Sequence, residues 1–370
     1  MNLKLIEFIK NNPDNWRTLL SSPPYCIDIK EDDNYILFKY NQIESDFHND
    51  IVKECRGIIL NKKTYEPVCI PFFKFGNYGE SYADKIDWNT ARVQTKIDGS
   101  IMKVWYDKEI WRISTNGVIN AKNCNTSTEK SFNDIFMECW KNSVPYEFNT
   151  LSEKFNKNYT YMFEMTHPLN RVVIKYDKPM IYHIGTRDNI TGLEINIDIN
   201  IEKPKEYKFN SLEDVISMSK ELPYSEEGYV VVDEYYHRVK IKSPAYVAVH
   251  RLKNNGAITY KRIIELLFAN ENEEFLVYFD EYRSMFDSVK LTLDKYISDM
   301  IPYINKIKDM KFDSKKEYAM EVLKTPISNF LFEVYKGNYK WDEFDKYIRK
   351  IPVDRLVDIL KLKEAKEIIE

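Results

Sequence analysis

The chain has 370 residues, 44% hydrophobic and 14% aromatic, enough for a sizeable core and, by length, two domains. Its net charge of −4 excludes a global field that gathers nucleic acid, so any such contact needs a local basic patch. Met1-Asn2-Leu3-Lys4 lacks an apolar signal core and no membrane-length apolar run follows, so a soluble, cytoplasmic protein without membrane contact is expected. The five cysteines (Cys26, Cys55, Cys69, Cys124, Cys139) show no CxxC spacing, and the five histidines show no i, i+4 pair. Both patterns argue against a Cys- or His-based metal site.

In chain order, Leu3–Lys10 and Asp14–Leu20 have helical spacing, with Asp14 as N-cap. Cys26–Ile29 and Tyr35–Tyr40 alternate as strands around Glu31-Asp32-Asp33-Asn34. Glu54–Leu60 reads as a strand with a buried end, and its Arg56 is either paired structurally or aimed at a phosphate. Lys74 stands among aromatics in Pro71–Asn77, where it is either a snorkelling surface lysine or part of a site. Lys96-Ile97-Asp98-Gly99-Ser100 lies between the alternating runs Ala91–Thr95 and Ile101–Trp105. That reads as strand, tight turn, strand, with Asp98-Gly99 making the turn. A lysine there becomes a nucleophile if burial or neighbouring cations lower its pKa.

Trp111–Gly117 reads as a strand and Ser127–Trp140 as a helix capped by Thr126 or Ser127. Strands are expected over Tyr159–Met165, ending near Glu164, and over Glu226–Val232, with Glu227 at the entrance. In Arg238–Lys242, Lys240 and Lys242 are two apart and share one strand face. From about residue 255 the periodicity is helical: Tyr260–Ala269, Glu274–Val289, Leu291–Ile307, Lys316–Leu323, Ile327–Tyr335, Trp341–Ile351 and Leu356–Leu362. Lys306, Lys308, Lys311, Lys315 and Lys316 form a basic stretch there, either a solvated helix end or an RNA contact.

Nucleotidyl transfer through a lysine needs the nucleophile, cations for the triphosphate, a carboxylate for the ribose and another for a divalent metal. Lys96; Arg56, Lys74, Lys240 and Lys242; Glu164; and Glu227 supply these types, all at or near strand ends. Lys96–Ser100, Tyr161–Met165, Met180–Arg187, Glu227–Val230 and Lys240–Lys242 resemble motifs I, III, IIIa, IV and V of the covalent nucleotidyltransferases. Within that superfamily the chain is most similar to the phage-type ATP-dependent RNA ligase 1 family. The shared phrases are Glu54-Cys55-Arg56-Gly57, Pro168-x-Asn170-Arg171-x-Val173, Glu227-Gly228-Tyr229-Val230, Lys240-Ile241-Lys242-Ser243-x-x-Tyr246-Val247 and Tyr318-Ala319-Met320-Glu321.

The resemblance implies an α+β fold: an N-terminal nucleotidyltransferase domain, 1–245, with ATP-grasp-like antiparallel sheets and helices, then an all-helical domain, 246–370, that selects RNA. It implies that Lys96 forms a lysyl–AMP adduct, that Tyr40 packs on adenine, and that Arg56, Lys74, Lys240 and Lys242 contact the phosphates of ATP. Glu164 would lie near the ribose, Glu227 would be catalytic and hold Mg²⁺ or Mn²⁺, and Tyr246 would be needed for ligation. The acidic pair that binds metal early in the family's helical domain is shifted here, leaving Glu271, Glu273 and Glu274 as candidates, with Glu273 the expected metal ligand. The extra basic residue that the resemblance leads one to expect after Gly117 is absent, with Asn116 near its place. The implied protein is a monomer that seals RNA 5′-phosphate and 3′-hydroxyl ends, cleaved tRNA among them, in a host cytoplasm if viral. The alternatives are a capping-type guanylyltransferase, which an OB domain would accompany, and an inactive RNA-binding relative.

Overall fold

The computed structural model describes residues 3–125, 129–251 and 258–362. The chain divides into two compact units, Met1–Lys253 and Asn254–Glu370. The helix Pro244–Arg251 falls in the first unit, so the division comes after it and not at residue 246. The first unit is α+β and entirely antiparallel in its named strands. The strands are β1 (Ile27–Glu31), β2 (Tyr35–Tyr40), β3 (Arg56–Asn61), β4 (Pro67–Cys69), β5 (Arg92–Thr95), β6 (Ser100–Asp107) and β7 (Ile110–Thr115). They continue as β8 (Tyr159–Thr166), β9 (Met180–Asp188), β10 (Glu194–Ile195), β11 (Glu206–Tyr207), β12 (Gly228–Val232) and β13 (Arg238–Lys242).

Three sheets form: β1-β2-β3-β4, β10-β9-β8-β6-β7 and β11-β5-β12-β13. Side-chain alternation explains how they stack. In β2, Ile36 and Phe38 enter the core beneath the helix Lys4–Asn11, whereas Tyr35 and Leu37 turn the other way and meet Trp105 of β6. The second sheet packs Met102, Val104, Tyr161 and Phe163 against Phe136 and Trp140 of the helix Phe132–Ser143. In the third, Val93, Tyr229, Val231, Val239 and Ile241 pack on the helix Leu212–Glu221 through Val215. The opposite face of β13, with Arg238, Lys240 and Lys242, is thereby left to line a cavity.

Several local expectations are corrected. The Lys96–Ser100 stretch is not a hairpin, because β5 and β6 belong to different sheets. Trp16–Leu20 has Asn15 and not Asp14 at its N-cap position, without a side-chain cap bond. Glu54 ends the short helix Asp50–Glu54, and its buried carboxylate accepts the Lys4 and Leu5 backbone N–H groups at 3.0 and 2.8 Å. The helix expected from Ser127 starts at Phe132, where Ser131 and Asp134 make a capping box. The proposed caps Thr126 and Ser127 lie outside the described residues.

The second unit is helical throughout its named elements. The separate helices expected over Glu274–Val289 and Leu291–Ile307 are instead Asn272–Tyr278 and one long helix, Arg283–Asp309, that carries Pro302 inside it. Buried Ile263, Phe275, Phe286, Phe330, Phe344 and Leu356 contribute to its interior. Among the described residues, no helix is long and apolar enough to cross a membrane.

Candidate active site

Lys96 follows the last residue of β5 in the third sheet, and its backbone N–H donates to the Gly228 carbonyl at 2.8 Å. Four residues later the chain enters β6 of the second sheet. Gly99 is needed for close approach and not for a turn: a Cβ there would stand 2.4 Å from the Met165 carbonyl oxygen of β8. Asp98 does not bond its own backbone. It is buried, and its carboxylate accepts the Val173 and Ile174 N–H groups at 2.9 and 2.7 Å and the Tyr246 hydroxyl at 2.9 Å. Tyr246 is itself buried, and this hydrogen bond ties it to the lysine loop.

Between the second and third sheets lies a cavity of about 200 Å³. Its wall brings together Lys96, Arg56 of β3, Glu164 of β8, Glu227, and Lys240 and Lys242 of β13. The register explains the lysine pair: Lys240 faces Val230 and Lys242 faces Gly228 across the β12–β13 ladder. Gly228 sits at φ +135°, and a Cβ there would stand 2.2 Å from the Ile241 carbonyl oxygen, so only glycine brings Glu227 to this position. The Lys96 ammonium donates to Glu227 Oε2 at 2.7 Å, and Lys242 Nζ lies 3.8 Å from the other oxygen, Oε1.

The electrostatics differ from the expectation that neighbouring cations depress Lys96. Burial does pull its pKa down, but the charge of Glu227, then Glu164, the Glu227 hydrogen bond and Asp98 carry it above the ordinary lysine value. The cations act instead on Lys240. Burial, then Lys74, Arg56, Lys242 and Lys96, hold it well below that value. Lys240 lies 4.9 Å from the Phe75 ring centroid and has no carboxylate ion pair among the described residues. Burial pushes Glu164 up to about 7, with Lys96 opposing and Glu227 reinforcing the shift. A polyanion entering here would restore the Lys240 proton and relieve the crowding of positive charge.

Arg56 resolves toward the site. Its guanidinium lies 4.9 Å over Phe75, it bonds the Phe73 carbonyl at 3.4 Å, and no carboxylate pairs with it among the described residues. Lys74 is not a surface lysine. It is 8% exposed, with Nζ 5.3, 4.5 and 5.7 Å from the rings of Tyr40, Phe47 and Tyr82. Tyr40 belongs to that cage, edge-on to Phe47, and is not on the wall of the Lys96 cavity. The apolar residues lining that cavity include Ile184 and Val230, and Gln94 also lines it. Sequence reasoning missed these, and also Arg238, although Arg238 shares the two-residue period of Lys240 and Lys242.

Glu164 and Glu227 are hard oxygen donors on one wall, a set suited to Mg²⁺ or Mn²⁺ held by one or two carboxylates together with substrate phosphates. No group of three or more His, Cys, Asp or Glu residues arranged for a metal occurs among the described residues. Glu273 stands exposed in the first turn of Asn272–Tyr278 in the second unit, next to the buried Glu274.

Comparisons with known proteins place the chain among relatives named as RNA ligases. A protein named as a bifunctional polynucleotide kinase/RNA ligase from Autographa californica nuclear polyhedrosis virus is 29% identical over 267 residues, covering 68% of this chain and 38% of that protein. The chain therefore spans well under half the length of that relative. An RNA ligase of Rhodothermus phage RM378 is 28% identical over 317 residues, covering 67% of this chain and 71% of the phage protein. An archaeal ATP-dependent RNA ligase structure aligns over 86% of this chain and 88% of its own at 11% identity, with a TM-score of 0.45, too low to carry an inference. The RNA ligase family model matches residues 54–246, over half the chain and all of the Lys96 cavity's motifs, and the protein belongs to the phage-type RNA ligase 1 family.

Proposed function

We propose that this protein is an ATP-dependent RNA ligase that works through an adenylate on Lys96. The carrying observation is the convergence of Lys96, Glu164, Glu227, Arg56, Lys240 and Lys242 on one cavity. Lys96 Nζ, once deprotonated, attacks the α-phosphorus of ATP, forming an N–P bond as the bond to pyrophosphate breaks. Arg56, Lys240 and Lys242 neutralise the phosphates and the charge that develops on them. The adenine would lie against the apolar lining that includes Ile184 and Val230. Glu164, beside Lys96, takes the ribose. When bound, Mg²⁺ or Mn²⁺ would neutralise the Glu227 and Glu164 charges that hold the Lys96 proton.

An oxygen of an RNA 5′-phosphate then attacks the adenylate phosphorus and releases Lys96. A 3′-hydroxyl next attacks the activated 5′-phosphate, which forms the phosphodiester and frees AMP. RNA breaks with 5′-phosphate and 3′-hydroxyl ends, including cleaved tRNA loops, are the substrates, and the helical second unit selects among them. The protein acts as a monomer in the cytoplasm. Incubation with labelled ATP or GTP tests the reading: ATP labels the wild type, and Lys96→Ala abolishes the label. Labelling by GTP would favour a capping-type enzyme, and no label at all would leave an RNA-binding relative. A ligation assay on a cleaved anticodon loop, a linear RNA and a DNA nick then separates the substrates.

A further inference from the structure

The second unit holds a cavity of about 440 Å³, a size within the roughly 300–1,000 Å³ usual for small-ligand pockets. Four helices of that unit line it: Arg283–Asp309, Ser328–Tyr335, Phe344–Lys350 and Val353–Ile359. Helical spacing selects the lining. Phe344, Tyr347, Ile348 and Ile351 recur at i, i+3, i+4 and i+7, which is one face of the third helix and its end. Arg349 points away from that face and donates to the Phe268 carbonyl at 3.1 Å.

The lining has an apolar part and a cationic part. Phe330, Phe344 and Ile348 are buried, whereas Tyr296 and Tyr347 are half-buried. Asn329, Lys350 and Arg355 are exposed. Among the described residues no carboxylate lines the cavity, and neither Lys350 nor Arg355 has a carboxylate ion pair. Neighbouring carboxylates are paired with other lysines: Asp354 with Lys261 at 2.7 Å, Glu333 with Lys336 at 2.7 Å and Glu343 with Lys346 at 3.2 Å. Burial raises the Tyr347 hydroxyl pKa, and the Arg355 charge is the next influence and opposes it, so the guanidinium lies within electrostatic reach of that hydroxyl. In a chain of net charge −4 this is a local basic patch with aromatic surface beside it.

We propose that this cavity takes one unpaired nucleotide of the RNA substrate, with its base against Tyr296 and Tyr347 and its phosphate on Lys350 and Arg355. The proposal deepens, and rests on, the reading of the second unit as the part that selects RNA. An unpaired base has a π-face that aromatic side chains hold whatever its sequence, and its phosphate supplies the anion that two unpaired cations call for. The Asn329 amide offers both a donor and an acceptor to the base edge. A purely apolar occupant would leave both cations unused. A base inside a duplex has its faces stacked and its pairing edge engaged, so the cavity distinguishes loops and broken ends from paired RNA.

The test uses the full chain with two probes, a thiouridine-bearing single-stranded RNA and the duplex of the same sequence. Binding is measured by fluorescence anisotropy for wild type, Arg355→Met and Lys350→Met, with circular dichroism to establish folding, and the photo-crosslinked peptide is identified by mass spectrometry. Loss of one charge-assisted contact should weaken single-strand binding about tenfold and reduce its salt slope by about 0.7. Duplex binding and labelling of Lys96 by ATP should stay unchanged, and the wild-type crosslink should fall on Tyr296 or Tyr347. Lys350→Met decides if Arg355→Met does not fold. Unchanged single-strand binding in the folded variants, or equal weakening of the duplex, overturns the nucleotide pocket. Displacement of the crosslink by 5′-AMP at the oligonucleotide's own concentration would assign a free nucleotide and overturn the RNA assignment. Crosslinks elsewhere in the second unit, as on the Lys306–Lys316 stretch, would refute the pocket and leave that unit's role in RNA selection standing. Crosslinks confined to the first unit would refute that role as well.

Discussion

Replacing Glu227 by Gln tests what holds the proton on Lys96. In the free protein the ammonium donates to Glu227 at 2.7 Å, with Lys96 and Glu227 side chains 21% and 5% exposed. A hydrogen bond of this charged, mostly buried kind is worth roughly 1.5–3 kcal/mol. Glu227 is the strongest of the influences that raise the Lys96 pKa, so Gln should lower it. Burial, the largest single influence on this lysine, is then opposed by Glu164 and Asp98 without Glu227. The assay is competitive labelling of metal-free protein with an amine-selective reagent from neutral to strongly alkaline pH, read on the Lys96 peptide by mass spectrometry. The labelling midpoint should move to lower pH even as adenylation falls with the loss of a carboxylate proposed to hold metal. A midpoint that stays in place or rises would show that Glu227 does not hold the proton, and the account of Lys96 would fail.

Single-turnover adenylation should slow on the order of tenfold to a hundredfold in Lys240→Ala and in Lys242→Ala, since each removes a proposed charge-assisted phosphate contact. A mutant matching wild type at saturating ATP and metal would remove that lysine from the site. Gly99→Ala should cost roughly 1–3 kcal/mol by overpacking against the Met165 carbonyl and should impair adenylation, because the loop that aims Lys96 must shift. Full adenylation by this variant would refute the close-packing argument. Lys103 is fully buried, donates to the Gly57 carbonyl, and has its pKa lowered to about 8 mainly by burial. A depressed lysine pKa means the native state resists its charge. Wild type should therefore gain stability relative to Lys103→Met as pH rises through about 8 toward 10.5, by up to about 3 kcal/mol. Urea unfolding at neutral and alkaline pH measures this, and a pH-independent difference would contradict it.

Much of the site was legible because its chemistry is local. Lys96, Glu227, Lys240 and Lys242 stand at strand ends or on one strand face, and an alternating run such as Arg238–Lys242 can bury Val239 and Ile241 only by presenting the cations to the other side. Arg56 was left open by its sequence context, and only its placement over Phe75 resolved it.

What the chain order could not convey was which strands share a sheet. The runs on either side of Asp98-Gly99 look like a hairpin because a hairpin is the shortest connection, yet β5 pairs with β12 while β6 pairs with β8. Those partners lie over a hundred residues and about sixty residues away in the chain, and long-range pairing leaves no local mark. The sign of the Lys96 shift was hidden for the same reason. Sequence supplied the cations and carboxylates around it, but electrostatic influence falls with distance, and only the fold put Glu227 at 2.7 Å from Lys96 while turning Lys240 toward Phe75 and the other cations. The amino-acid sequence by itself determined the reactive groups and the strand faces that carry them. The tertiary structure decided their neighbours, and therefore which lysine keeps its proton.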